Sequence, residues 1–89
     1  MLSAYRVCFQ PVLEGQDEET IEKPEEGLVQ CVGVLAESFE HAIRKVRDEY
    51  EGTVLEWAKD YVEDEGAESA RCEKCIILKA EHLCSIDIQ

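Results

Sequence analysis

The stretch Leu28 to Trp57, LVQCVGVLAESFEHAIRKVRDEYEGTVLEW, decides the fold. Its first part, Leu28 to Glu37, is the most apolar run of the chain. Leu28, Val32, Val34 and Ala36 lie on one alternating face and Val29, Cys31 and Leu35 on the other, which reads as a strand covered on both sides. Ser38 then stands where a helix N-cap belongs, because its hydroxyl can accept an amide hydrogen bond in the first turn. Phe39, Ala42, Ile43, Val46 and Tyr50 recur at the i, i+3, i+4, i+7 spacing of an amphipathic helix, and Gly52 stops it. The outward face of that helix carries His41, Arg44, Lys45 and Arg47 among Glu40, Asp48 and Glu49. It is the basic locality of an otherwise acidic chain, and its charges read as a balanced, solvated face rather than an anion site.

The end of the stretch and its continuation, Thr53 to Val62, fits two elements. Leu55, Trp57 and Tyr61 share a face at period two, while Val54, Ala58, Tyr61 and Val62 fit a helix. The β-branched and aromatic content, and a Gly-Thr-Val-Leu sequence directly after a helix, favour a strand. Upstream, Ala4 to Leu13 alternates, with Tyr5, Val7, Phe9 and Leu13 opposite Arg6, Cys8 and Gln10. Pro11 places this strand at an edge or ends it there. Downstream, Cys75 to Ile88 reads as a long strand or hairpin with Ile76, Leu78, Ala80, Cys84, Ile86 and Ile88 along one face. The order β-β-α-β-β implies an α+β fold, an antiparallel or mixed four-stranded sheet with one main helix on one face. One helix cannot cover both faces. A partly bare side displaying Val29, Cys31, Leu35, Leu55, Trp57 and Tyr61 is therefore expected to seek a partner, a second copy included.

Two acidic loops separate these elements, 14–27 and 63–73, and the whole chain of 89 residues reads as one small acidic domain. Nine basic against 21 acidic side chains give a net charge of −12. That balance repels phosphate backbones and anionic lipid, so direct nucleic-acid or membrane-surface binding is not expected; a protein partner with a basic surface suits it. No run reaches the length of a membrane span, and the first residues do not read as an export signal, so the expected compartment is the cytoplasm. The five cysteines are then expected to be mostly reduced thiols acting as small hydrophobes.

Among the motifs, Cys72-Glu-Lys-Cys75 has the spacing of a metal chelate or a redox pair. His82 and Cys84 are the residues available to complete a four-ligand site, although the set matches no usual finger arrangement, and a turn with incidental thiols is the preferred reading. His82, on the apolar side of the last strand, reads as a core histidine. There is no phosphate-binding glycine loop, nucleophile elbow or His-Glu-x-x-His, so no catalytic residue is assigned, no cofactor is expected and the protein reads as non-enzymatic. What remains is carboxylate density: Glu14, Asp17, Glu18, Glu19, Glu22, Glu25 and Glu26 in one loop, and Asp60, Glu63, Asp64, Glu65 and Glu68 at and before the other. Carboxylates on a rigid scaffold can imitate the phosphates of a duplex in a groove lined by Lys and Arg.

The unit Ala36 to Glu56, in which Ser38 caps a helix containing Ala42 and ending in Gly52-Thr53-Val54-Leu55, resembles a pattern in small α+β proteins of phages and mobile elements, anti-CRISPR inhibitors among them. The resemblance covers about a quarter of the chain. It implies a compact, non-enzymatic inhibitor that binds a host nucleoprotein complex and blocks nucleic-acid access, and it carries over no functional residue. The expected function is thus an interaction module, an inhibitor or DNA mimic, docking through its acidic loops and the surface around Trp57. The rival expectations are a metal-binding module organised by Cys72 and Cys75 and a homodimeric structural subunit.

Overall fold

The computed structural model describes residues 1–17 and 27–86. Strands β1 (Leu2–Leu13) and β2 (Gln30–Ala36), helix α1 (Phe39–Tyr50), a 3-10 segment (Glu56–Tyr61) and strand β3 (Cys72–Ile86) follow in that order. The fold is α+β, with an antiparallel sheet in the order β2-β1-β3 and one main helix. Three strands form among the described residues rather than the four expected. Thr53 to Val62 is not a strand: it makes a single bridge, Val54 to Arg71, and then winds into the 3-10 segment. The physical reason is local packing: its backbone bonds to the start of β3 end at Leu55, whose N–H donates to the Ala70 carbonyl, and burying both Leu55 and Ala58, three residues apart, suits a coiled turn and not an alternating strand.

Pro11 explains the two-sided status of β1. β2 pairs with β1 only from Ser3 to Phe9, so β1 is central at Val7 and bordered by β3 alone at Pro11, where a missing N–H interrupts no second ladder. β2 is an outer strand and not covered on both sides. Cys31, Gly33 and Leu35 are exposed on its far face, Leu35 at 49 %. β3 reaches the length of 15 residues against the 12 of β1 because Glu73, Leu78 and Leu83 are bulge residues with no partner across the ladder. These bulges break the single apolar face expected for it. Ala80 pairs with Val7 on the core side, whereas Ile76 pairs with Gln10 and Cys84 with Ala4 on the other.

α1 starts and stops where the sequence places it. The Ser38 hydroxyl accepts from the His41 N–H at 3.1 Å, and His41 Nδ1 in turn accepts from the Glu37 N–H at 3.1 Å, a reciprocal cap that satisfies two otherwise orphaned donors. Gly52, at φ +86°, turns the chain out of the helix in a conformation that costs any residue with a Cβ about 1 kcal/mol or more. Ala42 and Val46 of α1 bury against Tyr5, Val7 and Phe9 of β1, with Leu13, Leu28, Leu55 and Ala58 completing the core. The aromatic rings line this layer in sequence: Tyr5 sits 4.9 Å from Phe39 and 5.4 Å from His82, and Phe9 sits 5.0 Å from Tyr50 and 6.4 Å from Trp57. No helix among the described residues is long and apolar enough to cross a membrane.

Candidate functional site

The two acidic loops, far apart in sequence, meet at the end of the sheet where β1 finishes and β3 begins. Ser69 Oγ donates to Glu14 Oε2 at 2.8 Å, the Glu68 N–H donates to the Glu14 carbonyl at 2.7 Å, and Gln16 Nε2 donates to Glu65 Oε2 at 2.9 Å. A tight turn supports the first loop, with the Gln16 N–H donating to the Leu13 carbonyl at 2.9 Å and the Leu13 N–H donating back to Gln16 Oε1 at 3.1 Å. The second is a continuous series of turns, in which the Glu65 N–H reaches the Tyr61 carbonyl at 2.9 Å and the Ala67 N–H the Val62 carbonyl at 2.9 Å. Their joint product is one acidic end carrying Glu14, Asp17, Glu63, Asp64, Glu65 and Glu68, with Asp60 on the adjoining 3-10 segment. Asp17, Asp60, Glu63, Asp64 and Glu68 are exposed. Of the carboxylates expected to form a docking surface, Glu18, Glu19, Glu22, Glu25 and Glu26 lie outside the described residues.

Sequence reasoning found the carboxylates but not the polar residues that join the loops. Gln16 and Ser69 hold the arrangement, and neither has a sequence signal beyond its place in a loop. Trp57 is corrected in a different way. Its ring is half-buried, 5.8 Å from Tyr50 and packed toward Phe9, between the helix layer and the sheet rather than on a bare sheet face. The bare face does exist, on the side away from α1, but Leu55, Trp57 and Tyr61 do not belong to it. It shows Arg6, Cys31, Gly33, Leu35 and Lys79 to solvent. Lys79 pairs there with Glu81 at 2.8 Å and holds that carboxyl below its usual range.

The cysteines divide into three environments. Cys8 and Cys31, directly opposite on β1 and β2, form a disulfide on the open face, so the expectation of reduced thiols fails for this pair. Cys84 is free and exposed; Cys72 and Cys75 are free and fully buried, at 0 % exposure. The Cys72 and Cys75 sulfurs lie 3.8 Å apart, the Cys72 thiol also reaches the Lys74 carbonyl at 3.3 Å, and the Cys75 N–H donates to Glu51 Oε2 at 2.9 Å. The four-ligand metal set does not assemble. His82 pairs with Tyr5 and Cys84 with Ala4, at the opposite end of β3 from Cys75, and seven residues of strand from Cys75 to His82 span roughly 23 Å. No group of three potential ligands converges among the described residues. His82 itself is exposed and touches the edge of the Tyr5 ring, so it is not a core histidine. In the basic locality, His41 caps α1 and Lys45 Nζ donates to the Leu35 carbonyl at 2.7 Å, both structural uses.

Comparison with known families, characterised proteins and solved structures gives no match, so the functional reading rests on this geometry.

Proposed function

We propose that the protein is a non-enzymatic interaction module, an inhibitor of the phage type that is anti-CRISPR-like or a DNA mimic, and that it docks its acidic end on the basic surface of a nucleic-acid-binding partner. The observation that supports this reading is the joining of the two acidic loops by Glu14, Gln16, Glu65, Glu68 and Ser69. Two separate solvated loops would need no such fastening. A fixed array of carboxylates loses little freedom on binding, and preorganisation of this kind raises affinity without adding contacts. The negative charge of −12 adds long-range steering toward a basic groove. The cytoplasmic setting expected from the sequence belongs to the same proposal, and the Cys8–Cys31 disulfide pulls against it, since such pairs are kept open where glutathione is reduced.

The test is a pull-down from a host lysate with the tagged full chain, eluted in salt steps, followed by titration of the recovered partner against wild type and the triple variant Asp17→Lys, Glu63→Lys, Asp64→Lys. With roughly 0.2–1 kcal/mol per exposed pair lost and a repulsion of similar size gained at each of the three sites, affinity at low salt is expected to fall by about 10-fold or more. The difference should shrink as the screening length drops from about 10 Å at 0.1 M to about 3 Å at 1 M salt. Equal affinities at low salt would rule out docking through this end.

A further inference from the structure

Residues three apart on a regular strand face opposite sides of a sheet. Cys72 and Cys75 do not, because Glu73 is an extra residue in the ladder. Pro11 and Leu13, two apart on β1, are matched by Cys75 and Cys72, three apart on β3. The bulge thereby turns both thiols to the core side and leaves their sulfurs 3.8 Å apart. The turn after α1 fastens this corner: the Gly52 N–H donates to the Cys72 carbonyl at 2.7 Å, the Cys72 N–H to the Thr53 carbonyl at 2.8 Å, and the Cys75 N–H to the Glu51 carboxylate at 2.9 Å. An apolar core needs neither the pairing of two sulfurs nor a carboxylate directed at the backbone beside one of them.

We infer that Cys72 and Cys75 are a redox-active dithiol, which a low-molecular-weight disulfide such as oxidised glutathione converts to an intrachain disulfide. The Cys72 thiolate attacks one sulfur of oxidised glutathione, forming a mixed disulfide and releasing one glutathione thiolate. Cys75 passes its proton to that thiolate, and its sulfur displaces the second glutathione from Cys72. In sum, two cysteine thiols lose two electrons and two protons, and one oxidised glutathione becomes two reduced ones. The order of attack follows from the pair itself. The hydrogen bond between the two sulfurs holds Cys72 below the usual thiol range, while the same bond and burial push Cys75 above it. Both sulfurs are covered in the reduced form, so the reaction requires a local opening of the corner that Gly52 and Thr53 fasten to Cys72. Closing the bond draws the sulfurs from 3.8 Å to about 2.05 Å, a movement that falls on the Glu73 bulge and on the Glu51 contact. Next to it lies the cluster of Phe9, Tyr50 and Trp57, and Trp57 is the one tryptophan of the chain.

The experiment uses the full chain carrying Cys84→Ser, which removes the exposed free thiol. The protein is incubated folded with oxidised glutathione, quenched with an alkylating agent, and mapped by mass spectrometry, with Trp57 fluorescence followed in parallel. Loss of both alkylatable thiols to a Cys72–Cys75 linkage, with a fluorescence change reversed by reduced glutathione, is the expected result. In Cys75→Ser the reaction should stop at a glutathione adduct on Cys72, and in Cys72→Ser no adduct should form. Two outcomes overturn the inference: both thiols surviving a large excess of oxidised glutathione in the folded chain, or sulfur exchange with Cys8 or Cys31 in place of the Cys72–Cys75 bond. Should either serine variant fail to fold, the Cys84→Ser chain decides the matter by itself.

Discussion

Ser38 and Tyr50, at the two ends of α1, are where single side chains set measurable properties. The Ser38 hydroxyl accepts from the His41 N–H, so Ser38→Ala leaves that donor to water and is expected to cost about 1 kcal/mol, lowering Tm by roughly 4–8 °C in a domain of this size. Ser38→Asp should restore most of the loss in the same thermal melt, because a carboxylate accepts equally well and favours a helix N-terminus. Tyr50 carries a pH dependence. Burial first, and then the negative charge of Glu49, push its phenol above the ordinary value of 10.0. The folded state therefore holds this proton longer than the unfolded chain does. Its contribution to stability is complete below about pH 10 and is lost as pH rises through the folded value. Denaturant midpoints measured on both sides of pH 10 should fall on the alkaline side, and the fall should be smaller in Tyr50→Phe.

Elements differ in how much of them the sequence discloses. α1 was legible because its cap, its apolar stripe and its stop are local, and all three agree. β1 was legible from alternation. The segment after α1 was not: Leu55, Trp57 and Tyr61 at period two point to a strand, yet Leu55 and Ala58, three apart, are the residues that bury. Whether such a segment extends or coils depends on which of its residues the rest of the core has room to bury, and that is set outside the segment. The bulges are silent for a similar reason. An extra residue in one strand shows only against the partner strand, so the shared face of Cys72 and Cys75 and the pairing of Cys8 with Cys31 both follow from register rather than from spacing. The acidic end was half legible: the carboxylates stand out by count, whereas their meeting depends on Gln16 and Ser69. A further close contact is set at this level. A methyl group placed on Gly27 would collide with the Tyr61 ring and hydroxyl, so Gly27→Ala is expected to destabilise by about 1–3 kcal/mol. Adding Tyr61→Ala should recover part of that in a double-mutant cycle read by urea denaturation.

At the scale of the whole molecule, the shape is elongated, 49 × 22 × 19 Å, with the joined acidic loops at one end and the Cys8–Cys31 disulfide on the sheet's open face. The disulfide there joins residues 23 apart, and opening it is expected to cost about 3 kcal/mol through the entropy returned to the unfolded chain. Urea midpoints with and without reductant, and in Cys8→Ala/Cys31→Ala, should agree on that loss; a midpoint indifferent to reductant would mean the two sulfurs are not bonded in solution. The regular placement of Glu73, Leu78 and Leu83 has an effect beyond the molecule itself. Past Cys72 and Cys75, which Gly52, Thr53 and Glu51 engage, the outer margin of β3 has no strand beside it among the described residues, and a flat margin of that length would template the addition of strand upon strand. Each unmatched residue throws the outward amides and carbonyls out of phase, so an incoming chain finds only four matched positions in a row before the rhythm breaks. The same irregularity that brings two sulfurs together thus acts as a fence against fibril growth, built without a proline.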